Sequence, residues 1–240
     1  MNLLNNKTII VTGASKGIGL EMVKLFVEAG ATVIACSRSG KSIDNSKVKN
    51  ITLDVSNYDD CNKKLQEILT EYKVIDGLVC NAGITKDMMT YKMDEASFDS
   101  VIDINLKGVF NVVKNIGPFM EKQGHGSIVN ISSIVGEYGN IGQCNYAASK
   151  AGIIGMSKSW AKEFSRKGSQ VRVNVICPGY IMTDMLKTVP EELLNKFKDL
   201  TMLKRLGEPQ EVANTAMFLL SDLSSYVTGS VLDVNGGMRL

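Results

Sequence analysis

The chain has 240 residues, 44% of them apolar and 22% charged, with a formal charge of +2; that is enough for one substantial core and too balanced in sign for a basic stripe that would meet nucleic acid. Five scattered cysteines without a CxxC pair (Cys36, Cys61, Cys80, Cys144, Cys177) and the lone His125 argue against a disulfide framework and against a bound metal. No apolar run approaches the ~18 residues of a membrane span and the start carries no cleavage-site pattern, so the reading is a reduced, soluble, cytoplasmic protein.

Residues 7–12 form a β-branched run that passes straight into Gly13-Ala14-Ser15-Lys16-Gly17-Ile18-Gly19, and residues 18–29 carry apolar side chains at helical spacing, closed by Gly30. Strand, glycine-rich turn and helix in that order make the phosphate-binding half of a dinucleotide site: the glycines let backbone approach closely, and the helix start offers N–H groups to a pyrophosphate. Residues 31–37 are the second strand. Folds that prefer NAD usually carry an acid at its end; here Ser37 is followed by Arg38. A hydroxyl and a guanidinium suit a 2′-phosphate, with Lys16 as a second cation, so NADP(H) is expected over NAD(H).

Residues 40–50 read as a polar loop and 51–55 as a third strand, with Asp54 placed to cap the helix that follows Ser56. A charged amphipathic helix over 58–73 leads to a fourth strand over 76–81, which ends in Asn81-Ala82-Gly83, and then to a loop over 84–89. Residues 94–122 are predicted helical; Asn105 interrupts their apolar stripe as a buried amide that must find partners. His125 reads as a solvated loop residue before the strand 127–131, which ends in Ser132-Ser133.

After a loop over 134–144, a helix from Tyr146 to about Gly168 sets Tyr146 and Lys150 one turn apart on one face. A phenol of ordinary pKa about 10 is a poor acid or base at neutral pH; an ammonium held close favours the phenolate and brings it toward a useful range. Ser133, at its strand end, can hold a substrate oxygen against the Tyr146 hydroxyl. Residues 171–176 are a sixth strand leading to Pro178-Gly179, 208–220 an apolar helix and 230–234 the last strand. The alternation predicts one α/β domain over 1–240, a doubly wound parallel sheet of about seven strands with helices on both faces and ligands at the carboxyl ends of the strands.

With its TGxxxGxG, NAG, Asn105, Ser133, YxxxK and PG elements in order and at matching spacing, the chain resembles the short-chain dehydrogenase/reductase family over nearly its whole length. The resemblance implies a single-domain Rossmann fold with a small helical lid at about 184–205, in which Ser133, Tyr146 and Lys150 are catalytic and Asn105 supports a helix kink and a water-mediated proton path. It implies cofactor contacts from Gly13, Ser15, Lys16, Gly17, Ile18, Gly19, Ser37, Arg38, Asp54, Val55, Asn81, Ala82, Gly83, Tyr146, Lys150, Pro178, Gly179, Ile181 and Thr183. Tetramers through the Asn105 and Tyr146 helices and the last strand are common in the family; Phe110, Ile153, Met156 and Trp160 suit such faces or the core.

Segments 81–87, 142–146, 180–185, 205–207 and 235–238 look most like the reductases that act on 3-oxoacyl thioesters of acyl carrier protein in fatty acid synthesis. Lys162, Arg166, Lys167 and Arg172 are the candidate cations for an acidic carrier. Many such enzymes have an arginine where this chain has Ser127, which keeps acetoacetyl-CoA reductase, or a reductase of another small ketone or polyol, as the alternative. A cofactor-sensing protein without turnover would lack Tyr, Lys or Ser, and all three are present.

Overall fold

The computed structural model describes residues 2–183, 186 and 190–238. Seven strands, β1 (Thr8–Thr12), β2 (Thr32–Ser37), β3 (Val48–Thr52), β4 (Gly77–Cys80), β5 (His125–Ile131), β6 (Gln170–Pro178) and β7 (Val231–Val234), join one sheet. Their order is β3-β2-β1-β4-β5-β6-β7, every pairing parallel. Strand order reverses between β1 and β4, the topological switch point where ligands bind in open α/β sheets.

Side chains alternate across each strand, and the sheet therefore has two apolar faces. Ile9 and Val11 pack with Met22, Val23 and Phe26 of α1 (Gly17–Glu28) and Val212 and Leu219 of α8 (Pro209–Leu220). Ile10 points the other way, among residues of α2 (Tyr58–Glu71), α4 (Gly108–Gln123) and α6 (Cys144–Ser165). Both faces are covered, as an all-parallel sheet requires. No helix among the described residues is long and apolar enough to cross a membrane.

Three local assignments differ from the sequence reading. β3 begins three residues before the predicted strand and stops at Thr52; Leu53 and Val55 are buried beyond its end, against the core side of α4. His125 opens β5 instead of lying in a loop, though its side chain is exposed, 3.5 Å from an Asp76 carboxylate oxygen. The segment read as a loop before α6 contains a short helix, α5 (Val135–Tyr138). The long helix predicted over 94–122 is α3 (Glu95–Ile102) and α4 joined by a π-helical stretch, Asp103–Lys107, with Asn105 at its centre. Such stretches disturb the regular ladder and concentrate at functional sites.

Candidate active site

At the end of β1 the chain turns through Gly13 (φ 67°), where a Cβ would stand 2.8 Å from the Ala82 Cα, and a Cβ on Gly19 would strike the Gly13 carbonyl oxygen. Only bare backbone fits. Thr12 locks the turn to the segment after β4: its Oγ1 accepts the N–H groups of Asn81 at 3.0 Å and Ala82 at 3.2 Å, and Asn81 Nδ2 returns hydrogen bonds to the carbonyls of Thr12 (3.3 Å) and Gly13 (3.2 Å). Lys16 gives α1 no side-chain cap and the first turn holds no acid, so the N–H groups of Gly17, Ile18 and Gly19 are left to bind an anion, with the positive end of the helix dipole behind them. This glycine cradle fits a dinucleotide pyrophosphate.

Most of the other predicted cofactor residues lie at or just beyond the carboxyl ends of the strands. Ser37 is buried at the end of β2, its Oγ 3.2 Å from Ser39 Oγ and 3.4 Å from the Lys41 carbonyl, while Arg38 and Lys16 are exposed and Ser15 is half-buried. Asp54 and Val55 follow β3. Asp54 does not cap α2: its carboxylate accepts from the Ser56 backbone (3.0 Å) and hydroxyl (2.7 Å), and Asn57 makes the cap by accepting the Asp60 N–H at 3.0 Å. Asn57 lies three residues closer to the helix, where its oxygen reaches the third amide. Thr183 lies across from Gly17, 3.5 Å from the position of a Cβ there. Ile181 bridges Gly207, and Pro178-Gly179 backs onto the last strand through Gly179 N–H to Val234 O at 3.0 Å.

Opposite the cradle stand the four predicted catalytic side chains. Ser133 follows β5 beside Tyr146, and its hydroxyl accepts the Val135 N–H at 3.2 Å. Lys150, one turn on in α6, is buried and donates to the Ile131 carbonyl at 2.8 Å. Asn105 is fully buried: its Oδ1 accepts from Ile84 N–H and its Nδ2 donates to Ile84 O, each at 2.9 Å, and Nδ2 also reaches Ser149 Oγ at 3.2 Å. A Cβ on Gly83 would lie 3.2 Å from Asn105 Oδ1 and 3.7 Å from Lys150 Nζ, so the missing side chain keeps these polar groups within reach of one another.

The electrostatics differ from the expectation in one respect. Burial pushes the Tyr146 phenol up to about 12, and the group that pulls it down is Ser133, not Lys150. The Lys150 ammonium is 5.5 Å from the Tyr146 ring centroid and is itself held down at about 8 by burial. Cys177, next to Pro178, is no nucleophile at neutral pH, since burial and the neighbouring Glu137 raise its thiol to about 12.

Several groups the sequence did not single out complete the site. Asn145 is fully buried and ties the start of α6 to the Lys86 carbonyl at 3.0 Å; Ser149 joins Asn105 to the Tyr146 carbonyl, to which it donates at 2.7 Å; Ser132 donates to Lys150 O at 2.8 Å. Three lie inside or beside the YxxxK and Ser motifs, and their polarity at inward positions was the available signal. Of the cations proposed for a carrier, Arg172 is committed internally, donating to Ser224 Oγ (2.9 Å), Ser221 O (3.3 Å) and Val227 O (3.4 Å). Lys162, Arg166 and Lys167 are exposed around the far end of α6 from Tyr146. Ser127 is buried and donates to the Leu219 carbonyl at 2.7 Å, which fastens β5 to α8. Ile153 and Trp160 are core residues, whereas Phe110 is 41% exposed.

The family model described as "Enoyl-(Acyl carrier protein) reductase" matches residues 13–239. The chain is 46% identical over 244 residues to the 3-oxoacyl-[acyl-carrier-protein] reductase FabG of Thermotoga maritima, covering 98% of both proteins, and 47% identical over 247 residues to that of Chlamydia muridarum, covering 99% of both. Among solved structures, it superposes at a TM-score of 0.90 and 33% identity on a 3-oxoacyl-[acyl-carrier protein] reductase from Brucella melitensis, over 100% of this chain and 93% of that one. An aldohexose dehydrogenase from Thermoplasma acidophilum matches at the same TM-score and identity, over 98% and 94%. A doubly wound sheet with a glycine cradle and a Ser-Tyr-Lys cluster at its carboxyl edge, together with these near-full-length matches, establishes that the chain belongs to the short-chain dehydrogenase/reductase family of NAD(P)-dependent oxidoreductases.

Proposed function

We propose that this chain reduces the 3-oxo group of an acyl thioester carried on acyl carrier protein to the 3-hydroxyacyl thioester, using NADPH, in fatty acid synthesis. The observation that carries the reading is the placing of Ser133 beside Tyr146, with the Lys150 ammonium 5.5 Å from the Tyr146 ring centroid, at the end of β5, in a chain 46–47% identical to proteins named 3-oxoacyl-[acyl-carrier-protein] reductase. The backbone of Gly13, Ser15, Gly17, Ile18 and Gly19, with Thr183, holds the cofactor phosphates; Ser37, Arg38 and Lys16 hold the 2′-phosphate; Asp54 and Val55 border the adenine. Asn81, Ala82, Gly83 and Lys150 meet the nicotinamide ribose, and Pro178, Gly179 and Ile181 the nicotinamide. NADPH, when bound, supplies the hydride.

The rest is the work of this chain's own side chains. Ser133 aligns the ketone oxygen with Tyr146, whose phenol is protonated at neutral pH and gives its proton as negative charge develops on that oxygen. Lys150, titrating at about 8, returns a proton to the tyrosine and is itself reprotonated from solvent along a water path that Asn105 helps to hold. The working form in this reading is a cytoplasmic homotetramer with a lid over 184–205, of which residues 184, 185 and 187–189 lie outside those described and Glu191–Asp199 form the helix α7, and the exposed cations Lys162, Arg166 and Lys167 are the ones left to meet an acidic carrier.

A second reading has its own support. Ser127 stands where many carrier-protein reductases have arginine, and the likeness to an aldohexose dehydrogenase equals that to a 3-oxoacyl reductase. Acetoacetyl-CoA, or another small ketone or alcohol, is then the substrate. NADPH oxidation with acetoacetyl thioesters of acyl carrier protein and of CoA, in wild type and Tyr146→Phe and again with NADH, separates the readings. Tyr146-dependent turnover that prefers NADPH and the carrier thioester is the expected result. Tight NADPH binding without turnover of either thioester would reject the assignment.

A further inference from the structure

Three stretches that run into the site also meet behind it. Cys177 and Asp233 are register partners on the neighbouring parallel strands β6 and β7, so their side chains stand on one face of the sheet. It is the face on which Val173, further back along β6, shares a core with Ile153 and Trp160 of α6. α5 lies against α6, with Gly136 so close that a Cβ there would stand 2.8 Å from the Lys150 carbonyl carbon, and it brings Glu137 to the same place. The Cys177 sulfur and one oxygen of each carboxylate lie within 4.8 Å of one another.

Cys177 is fully buried, and among the described residues its thiol donates no hydrogen bond. Ser132, beside the sulfur, gives its own proton to Lys150 O at 2.8 Å. What the thiol faces is the carboxylate pair. Burial, and then the charge of Asp233, hold the Glu137 carboxyl above its ordinary range, with Lys158 as the cation that opposes them. Both carboxylates are open to solvent, which gives an ion a way in and lets their ends close on it.

We propose that Glu137, Cys177 and Asp233 form a binding site for a zinc ion, with one water as fourth ligand. A thiolate with two carboxylates suits a borderline-soft divalent metal, whereas magnesium and calcium take oxygen and avoid sulfur. Zinc–sulfur and zinc–oxygen bonds of about 2.3 and 2.1 Å set the donors roughly 3.5 Å apart, about an ångström inside the present spacing. The metal replaces the thiol proton, which leaves to solvent. Glu137 lies just after Ser133, Cys177 adjoins Pro178, and Asp233 precedes Val234, whose carbonyl takes the Gly179 N–H at 3.0 Å. The ion therefore ties together the stretches that carry Ser133 and Pro178-Gly179, and its role is structural. The three ligands are far apart in the chain, so no ligand spacing marks them in the sequence.

The test is titration with Co2+ and then Zn2+ in a Cys144→Ser background, since Cys144 is the exposed cysteine and the other four are buried. One Co2+ per chain should bind with a near-ultraviolet thiolate-to-cobalt charge-transfer band that Zn2+ abolishes by displacement. Zinc at about a hundredfold above its Kd should raise Tm by about 5–10 °C. Cys177→Ala should lose the band, and Glu137→Gln and Asp233→Asn should each weaken Co2+ binding by about tenfold or more. Glu137→Gln changes an exposed side chain, so its folding is not at issue, and its NADPH affinity by fluorescence should match wild type. No charge-transfer band in the Cys144→Ser protein would mean that Glu137 and Asp233 share only a proton, and would overturn the proposal. A band that survives Cys177→Ala, or Co2+ affinity unchanged in both carboxylate variants, overturns it equally.

Discussion

Thr12 offers the sharpest test of how the cofactor cradle is held. Its side chain is 2% exposed, and its Oγ1 accepts two backbone N–H groups, from Asn81 at 3.0 Å and Ala82 at 3.2 Å, and donates to Val79 O at 3.4 Å. Thr12→Val keeps the shape and removes the oxygen. Each stranded donor costs about 1–3 kcal/mol, and because Asn81 and Ala82 are half-buried the lower half of that range applies, about 2–4 kcal/mol together. For a chain of this size each kcal/mol moves Tm by about 2–4 °C, so Tm should drop by about 4–16 °C. Thermal unfolding followed by circular dichroism measures this directly, with and without NADPH. The gap between the two curves should narrow as well, since the freed turn is the one on which Gly13 rests. A drop under about 2 °C would mean that the hydroxyl is not the acceptor that fixes the turn.

Ser37→Asp places a carboxylate where the 2′-phosphate is proposed to lie; the KM for NADPH should rise about 10- to 100-fold relative to that for NADH, and an unchanged ratio would remove Ser37 from the specificity site. Lys150 is depressed by burial to about 8 from an ordinary 10.5, so between those values the folded protein binds fewer protons than the unfolded one. The stability of unliganded wild type relative to Lys150→Met should therefore rise from pH 8 to 10.5, by about 3 kcal/mol at most, and a flat difference in denaturant melts would contradict the burial argument. Arg172→Leu removes three internal hydrogen bonds and should cost about 2–4 kcal/mol of stability while leaving the KM for a carrier thioester unchanged. A raised KM with intact stability would restore Arg172 as a docking cation.

The parts of this molecule legible in the sequence are those in which one residue type has one physical reason to be where it is. Gly13 and Gly19 have no room for a Cβ, and Tyr146 and Lys150 share a helix face because the segment is helical; motif and period suffice for both. β3 was misplaced because it is an edge strand with no fully buried residue, alternating weakly through Lys49 and Asn50. The apolar signal at Leu53 and Val55 belongs to the turn after it, whose Val55 carbonyl takes the Asn111 amide at 2.9 Å. Burial, not pairing, made those residues apolar. α5 has four residues, too few for any period. Arg172 differs from its sequence reading for a third reason: whether a polar side chain faces solvent or closes a tertiary contact depends on residues far along the chain, here Ser221, Ser224 and Val227.

The division of labour between Tyr146 and Lys150 belongs to that third class, and it bears on direction. The motif suggests a lysine that drags the phenol down, but the ammonium is turned to the Ile131 carbonyl and burial leaves the phenol at about 12. A phenol in that range is protonated throughout the neutral region, which is the form that donates to a developing alkoxide. The reverse oxidation needs the phenolate, and its population grows about tenfold for each pH unit below the pKa. Reduction should therefore be nearly independent of pH from 6 to 8, while oxidation of a 3-hydroxyacyl thioester climbs through the same interval and beyond it. Both rates, measured on the same preparation with saturating cofactor, decide the matter. An oxidation rate that stays level from pH 7 to 9 would show that the tyrosine is already ionised in the working complex, and that the lysine, once substrate and cofactor are in place, does what the motif suggested.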